Sequence, residues 1–303
     1  MSSLPELTTA RAAQLTGRLI DDAAVFPPGS APIPLAIGDH RTHRRAWYAD
    51  LVGPLLIPVL GVEEFVAHLD EGALGAASAD PLATVLIAGR DTHIAQDGIG
   101  LGALSRARSV LLDDERVELV GIEVALPDFA DLGALTRTLL DQLSFGVPAA
   151  IEVPRIDGWQ DALDVLAEDG AERAKFRTGG PTPADVPSDE ELTTFLTACV
   201  ERLLAFKLTA GLHHAVRRGE PDAPEHGFLN VLAAVTALLG GSGRIDTQAL
   251  VAEEDPAVLL EVLNGDLAPR ARSLFTAYGS CSISEPLDDL VALGVLRRPH
   301  EEV

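Results

Sequence analysis

Residues 117–143, VELVGIEVALPDFADLGALTRTLLDQL, contain the unit from which most of the chain is built. Residues 117–127 form a short run rich in Val, Ile and Leu, and residues 128–143 are amphipathic. A nearly continuous apolar run suits a strand buried on both faces, and an amphipathic helix after it covers one of them. The same pattern recurs. Strand-like runs fall at 17–28, 50–60, 82–89, 147–154, 172–180, 203–211 and 273–282, and helix-like stretches fall at 62–74, 158–170, 188–203, 226–240 and 284–296. Eight strand-led units in 303 residues predict an α/β fold, a (β/α)8 TIM barrel forming one domain over 1–303. An N-terminal helix is expected over 1–16, another over 33–51, and a helical insertion over 241–272 before strand eight. No GxGxxG follows the first strand, which argues against an open dinucleotide-binding sheet.

The chain is 47% hydrophobic, enough for a large core, and carries a formal net charge of -23. Such a surface repels nucleic-acid phosphates and anionic membranes, so neither is an expected partner. An anionic substrate would need a locally positive pocket. Two cysteines, Cys199 and Cys281, no leader-like N-terminus and no long apolar run fit a reduced, cytoplasmic protein. Nothing here decides against a homo-oligomer.

Strand residues alternate between faces, so the apolar neighbours of a charged residue tell which way it points. Ile122 and Val124 suit the helix side and put Glu123 in the lumen; Ile151 and Val153 do the same for Glu152. Phe176 outward places Lys175 and Arg177 inside, and Phe206 and Leu208 outward place Lys207 and Thr209 inside. Asp21 or Asp22 joins them from strand one, although a regular strand admits only one of the two. Buried charges can form a purely structural network, but desolvating so many is costly. Their convergence at the strand C-terminal ends, where barrel enzymes work, favours an active site.

Lys175 and Lys207 are the only lysines, against 21 arginines. A buried lysine can lose its proton whereas arginine cannot, and the free amine attacks carbonyls. Two adjacent lumen-facing lysines suggest that one attacks while its neighbour, with Arg177, holds its pKa down. Glu123 would then move protons and Glu152 orient the cations.

These segments resemble the deoxyribose-phosphate aldolase family. KFRTGG (175–180) is similar to its K-x-x-T-G, and FKLTAGL (206–212) to its F-K-x-x-G-G. IEVALP (122–127) resembles D-V-V-x-P, YGSCS (278–282) resembles G-x-S-S, and LIDDAAVF (19–26) matches more loosely. The resemblance implies a class I aldolase-type lyase with no cofactor and no metal. In it Lys175 forms a Schiff base with a small carbonyl substrate, an aldehyde, ketone or 2-oxo acid, phosphorylated or not. Lys207 would tune Lys175, and Glu123 would be the acid/base. Thr178, Gly179, Thr209, Gly211, His213, His214, Gly279 and Ser280 would contact substrate, with Gly211, Gly279 and Ser280 offering backbone N–H groups to an anion. Glu123 replaces an aspartate, Arg177 replaces a small polar residue, and one glycine stands where the family has two.

Two other functions compete. A metal-dependent lyase or isomerase would use Glu123, Glu152 and the histidines His213, His214 and His226. A non-catalytic barrel would use the same charges to recognise an anionic metabolite or a protein partner. HRTHRR (40–45) reads as a solvated helix face, and Cys281 as a small packing residue without a base partner.

Overall fold

The computed structural model describes residues 4–70, 80–89, 94–95, 98–99, 101–143, 146–180, 182–220 and 223–299. Eight parallel strands close into a barrel in chain order: β1 (Ile20–Asp22), β2 (Val52–Pro58), β3 (Leu82–Ala88), β4 (Val117–Ala125), β5 (Ala149–Glu152), β6 (Arg173–Arg177), β7 (Phe206–Thr209) and β8 (Phe275–Ser280). The last strand returns beside the first, with Ile20, Asp21 and Asp22 opposite Tyr278, Gly279 and Ser280. This is the predicted (β/α)8 architecture. Each expected strand is present, and β1 is the shortest relative to expectation. It stops at Asp22, whose carboxylate accepts the Ala24 N–H at 3.1 Å and turns the chain.

Among the described residues twelve α-helices surround the sheet: α1 (Thr9–Thr16), α2 (Ile33–His43), α3 (Val62–Ala67), α4 (Gly102–Leu112), α5 (Leu132–Gln142), α6 (Trp159–Asp169), α7 (Asp189–Glu201), α8 (Phe228–Leu239), α9 (Arg244–Val251), α10 (Pro256–Leu263), α11 (Ala268–Leu274) and α12 (Ser284–Ala292). Local chemistry sets their ends. Ser188 and Glu191 form a reciprocal capping box at the start of α7, at 3.1 and 2.7 Å. The insertion is three helices, α9 to α11, with Pro256 and Pro269 in the first turns of the last two. The sequence pattern identified no helix after β3, where α4 lies. Helix α3 is shorter than the stretch 62–74, part of which falls outside the described residues. Among the described residues no helix is long and apolar enough to cross a membrane.

Between sheet and helices, aromatic rings record the direction of the strand faces. Phe176 of β6 stacks on Phe195 of α7 at 4.3 Å, Phe195 meets Phe206 of β7 edge-on, and Phe206 stacks on Phe275 of β8 at 5.4 Å. With these rings outward, the alternate residues of β6 and β7 must face the lumen.

Candidate active site

The lumen holds a chain of alternating charge. Asp21 meets Lys207 at 2.5 Å; Lys207 meets one oxygen of Glu123; the other oxygen of Glu123 lies 2.7 Å from Lys175. Lys175 is also 2.9 Å from Glu152, which accepts from Arg177 Nε at 3.1 Å. Three carboxylates and three cations thus balance. All but Arg177 are buried; its side chain is 43% exposed. Glu123 and Glu152 lie in the C-terminal halves of β4 and β5 and Arg177 ends β6, the end at which barrel enzymes carry their chemistry, whereas Asp21 and Lys175 sit mid-strand and Lys207 is the second residue of β7.

Strand register explains how they meet. Glu152, Lys175 and Lys207 are successive partners across β5, β6 and β7, at one level. Glu152 pairs with Ala125, so Glu123 begins two residues nearer the strand N-termini. The extra methylene of glutamate relative to aspartate helps carry its carboxylate up to both ammonium groups. The facing wall is apolar: Ala23, Leu56 and Val85 form a buried cluster with Phe26, Ile87 and Val120 against it. The lumen therefore has an ionic side and a hydrocarbon side.

The electrostatics differ from the expectation that Lys207 and Arg177 hold Lys175 neutral. Burial does push the Lys175 amine down, but Glu123 and then Glu152 outweigh it, and its pKa is raised. Burial is likewise overcome at Lys207 by Asp21 and Glu123, so its pKa is raised too. Both resting lysines are ammonium ions because each touches two carboxylates. Burial alone would raise Glu123, yet Lys175 and Lys207 lower it to about 2. Glu152 is also lowered, its burial offset by Lys175 and Arg177. Asp21 goes the other way: burial dominates over Lys207 and raises its carboxyl.

The remaining predicted residues divide. Asp21 enters the lumen, and Asp22 instead turns to α2, where its Oδ2 lies 2.9 Å from His40 Nδ1. His40 is therefore buried, a correction to the solvated-face expectation for residues 40–45. Thr178 donates to the carbonyls of Thr209, at 3.3 Å, and Ala210. Gly179 and Gly211 face one another so closely that a Cβ on Gly179 would stand 2.7 Å from Gly211 Cα, and Gly211 has a φ of 74°. These glycines let two loops pack together beside the mouth. Gly279 faces the lumen beside Thr209 and Leu56, and the Ser280 hydroxyl is spent on the Ser282 carbonyl at 2.7 Å.

The histidines do not join the carboxylates of the cluster. His213 Nδ1 lies 3.1 Å from Glu285, His214 Nδ1 lies 3.1 Å from Asp289, and buried His226 Nε2 lies 2.7 Å from the Pro187 carbonyl. Among the described residues no three His, Cys, Asp or Glu side chains are arranged to hold a metal ion. Cys281 does have an imidazole neighbour, His213 Nδ1 at 4.0 Å, contrary to expectation. The Cys281 contact is the largest influence raising the His213 pKa.

Two contributors escaped the sequence pattern. Gly53 in β2 lies against Asp21, and a Cβ there would collide with Asp21 Oδ1. A glycine inside an apolar strand was the available signal, since it marks close approach. Arg173 shares the inward parity of Lys175 and lines the lumen below it. Neither a protein-family model nor a curated protein matches the chain.

Proposed function

We propose that the protein is a class I, Schiff-base-forming lyase of aldolase type, with Lys175 adding to a small aldehyde, ketone or 2-oxo acid. One observation carries this: the Lys175 nitrogen sits between Glu123 and Glu152 at 2.7 and 2.9 Å, buried in the barrel lumen. An ammonium flanked by two carboxylates has a proton acceptor within transfer distance on either side.

The steps balance within this group. A carboxylate, Glu123 in this assignment, takes a proton from the Lys175 ammonium. The free amine attacks the substrate carbonyl carbon, and a proton shift gives the neutral carbinolamine. Protonated Glu123 returns its proton to the departing hydroxyl, and water leaves. The product is an iminium with the same positive charge as the ammonium it replaces. The alternating charge chain is then intact, so the site is electrostatically suited to the covalent state. The iminium draws electrons from the neighbouring carbon–carbon bond, and a carboxylate accepts the proton of the substrate hydroxyl as that bond breaks. Lys207 holds Glu123 in place between the two lysines, and half-exposed Arg177 is positioned to meet a substrate carboxylate or phosphate. The apolar wall beside Ile87 suits the hydrocarbon part of the substrate.

The test is reductive trapping. Borohydride added with a panel of aldehydes, ketones and 2-oxo acids should leave one stable adduct, located on Lys175 by peptide mass analysis. Trapping should quicken as pH rises, because the resting amine is protonated. No adduct across the panel, together with lyase activity surviving Lys175→Arg, would sink the proposal.

A further inference from the structure

The barrel lumen is open at the N-terminal ends of its strands. A cavity of about 430 Å³ lies among the N-terminal ends of the strands, within the range of about 300–1,000 Å³ typical of small-molecule sites. It exists because the inward positions there are small: Pro54, Gly121, Ala150 and Ala277 line it, where barrel interiors are usually filled by bulky branched residues.

Its charged lining is four cations, three arginines and Lys207, against three carboxylates. Arg18, Arg173 and Arg272 all border it, against one rim carboxylate, the exposed Glu118. Asp21 and Glu123 border it as well, but both are already in contact with Lys207. The Arg272 guanidinium is fixed by four backbone carbonyls, those of Leu15, Gly17, Phe275 and Thr276, at 2.7–3.1 Å. Carbonyls orient that cation without neutralising it. Among the described residues neither Arg18 nor Arg173 makes a side-chain hydrogen bond or a contact ion pair, although Arg173 feels Asp21 and Glu172 electrostatically. Arg18 is held at the rim with a φ of 49°, a left-handed conformation uncommon for a residue with a Cβ. Three guanidiniums thus converge on one cavity in a chain of net charge -23.

We propose that this cavity is a second binding site, taking a compact oxyanion with two or more negative charges, such as a di- or tricarboxylate or a phosphate ester. Guanidinium forks match both groups in a bidentate manner. Because Asp21 and Lys207 border the cavity, a bound anion would sit directly beneath the lysine cluster.

Calorimetric titration of the full chain with citrate and with pyrophosphate reads binding alone, so it stands or falls separately from the carbonyl chemistry proposed above. Saturable one-to-one binding of at least one probe is expected. Arg18→Gln and Arg173→Gln should each weaken it about tenfold or more, as the loss of a charge-assisted hydrogen bond implies. Arg297→Gln, an exposed arginine outside both sites, should leave it unchanged. Arg18 is exposed, so Arg18→Gln keeps the test decisive even where Arg173→Gln disturbs the fold. No binding up to about 10 mM, weaker than specific metabolite sites, would overturn the assignment. So would affinity lost in Arg177→Gln and kept in Arg18→Gln.

Discussion

Lys175→Met removes one charge from the middle of the lumen chain while keeping an unbranched side chain of similar reach. Glu123 retains Lys207, but Glu152 retains only Arg177, which is 43% exposed. Two buried carboxylates lose ammonium contacts at 2.7 and 2.9 Å. Breaking a buried ion pair from one side costs about 3–5 kcal/mol, because the partner charge stays buried. Unfolding entropy of about 2.1 cal/mol/K per residue gives about 0.6 kcal/mol/K for a chain of this length, so Tm should fall by roughly 6 °C near neutral pH.

The pH dependence separates this cause from simple loss of packing. In the wild type, Glu123 and Glu152 titrate below their ordinary value of 4.5. Their stabilisation is present above that value and is lost as pH falls toward about 2 for Glu123. In the variant, burial at Glu152 is no longer offset by Lys175, so its folded pKa rises. A native carboxyl that binds a proton the unfolded chain lacks gains stability as pH falls through that raised pKa. The gap between variant and wild type should therefore narrow from about pH 7 to about pH 5. Adding Glu152→Gln to Lys175→Met should recover most of the loss at neutral pH. Thermal unfolding followed by near-UV circular dichroism at the two pH values is sufficient. A Tm difference below about 1 °C at neutral pH, smaller than the broken ion pair requires, or a gap that widens on acidification would refute the reasoning.

Two further outcomes follow from the geometry. Gly53→Ala puts a Cβ into Asp21 Oδ1 and should lever that carboxylate off Lys207, slowing reductive trapping by up to about a hundredfold while the protein stays folded; unchanged trapping would remove Asp21 from the working cluster. Among the described residues the buried Tyr278 hydroxyl has no hydrogen-bond partner, so Tyr278→Phe should stabilise the protein by about 1 kcal/mol, read as a Tm higher by one or two degrees. A lower Tm would mean that the hydroxyl is bonded.

Much of the fold was legible because parallel barrels need strands that are apolar on both faces. Runs such as LATVLIAG stand out from their surroundings, and β3 lies at Leu82–Ala88 within that run. The length of β1 was not legible, since its end depends on the Asp22 side chain capping the Ala24 N–H. The choice between Asp21 and Asp22 was equally hidden. It turns on Asp22 meeting His40, a residue of α2 that the sequence presents only as part of a basic run.

Inward parity brought Glu123, Glu152, Lys175, Arg177 and Lys207 to one place, but it could not fix the sign of the lysine shifts. That sign depends on which charge is nearest, and the contacts that decide it cross the lumen. Lys207 on β7 reaches Glu123 on β4 and, past the intervening β8, Asp21 on β1. The second reach is possible because β8 presents Ala277 and Gly279 inward at that level, beside Lys207 and Thr209. The small residues near YGSCS suggest, from sequence, a cradle for an anion. In the fold, Gly279 and Ala277 also clear the path by which Asp21 and Lys207 pair. The same choice of small inward residues, repeated at Gly121 and Ala150, hollows the barrel beneath the cluster. A lumen wide enough for six charges to meet across it is thereby also wide enough to be open from below, and Arg173 faces that opening for the same reason of parity that aims Lys175 at the mouth.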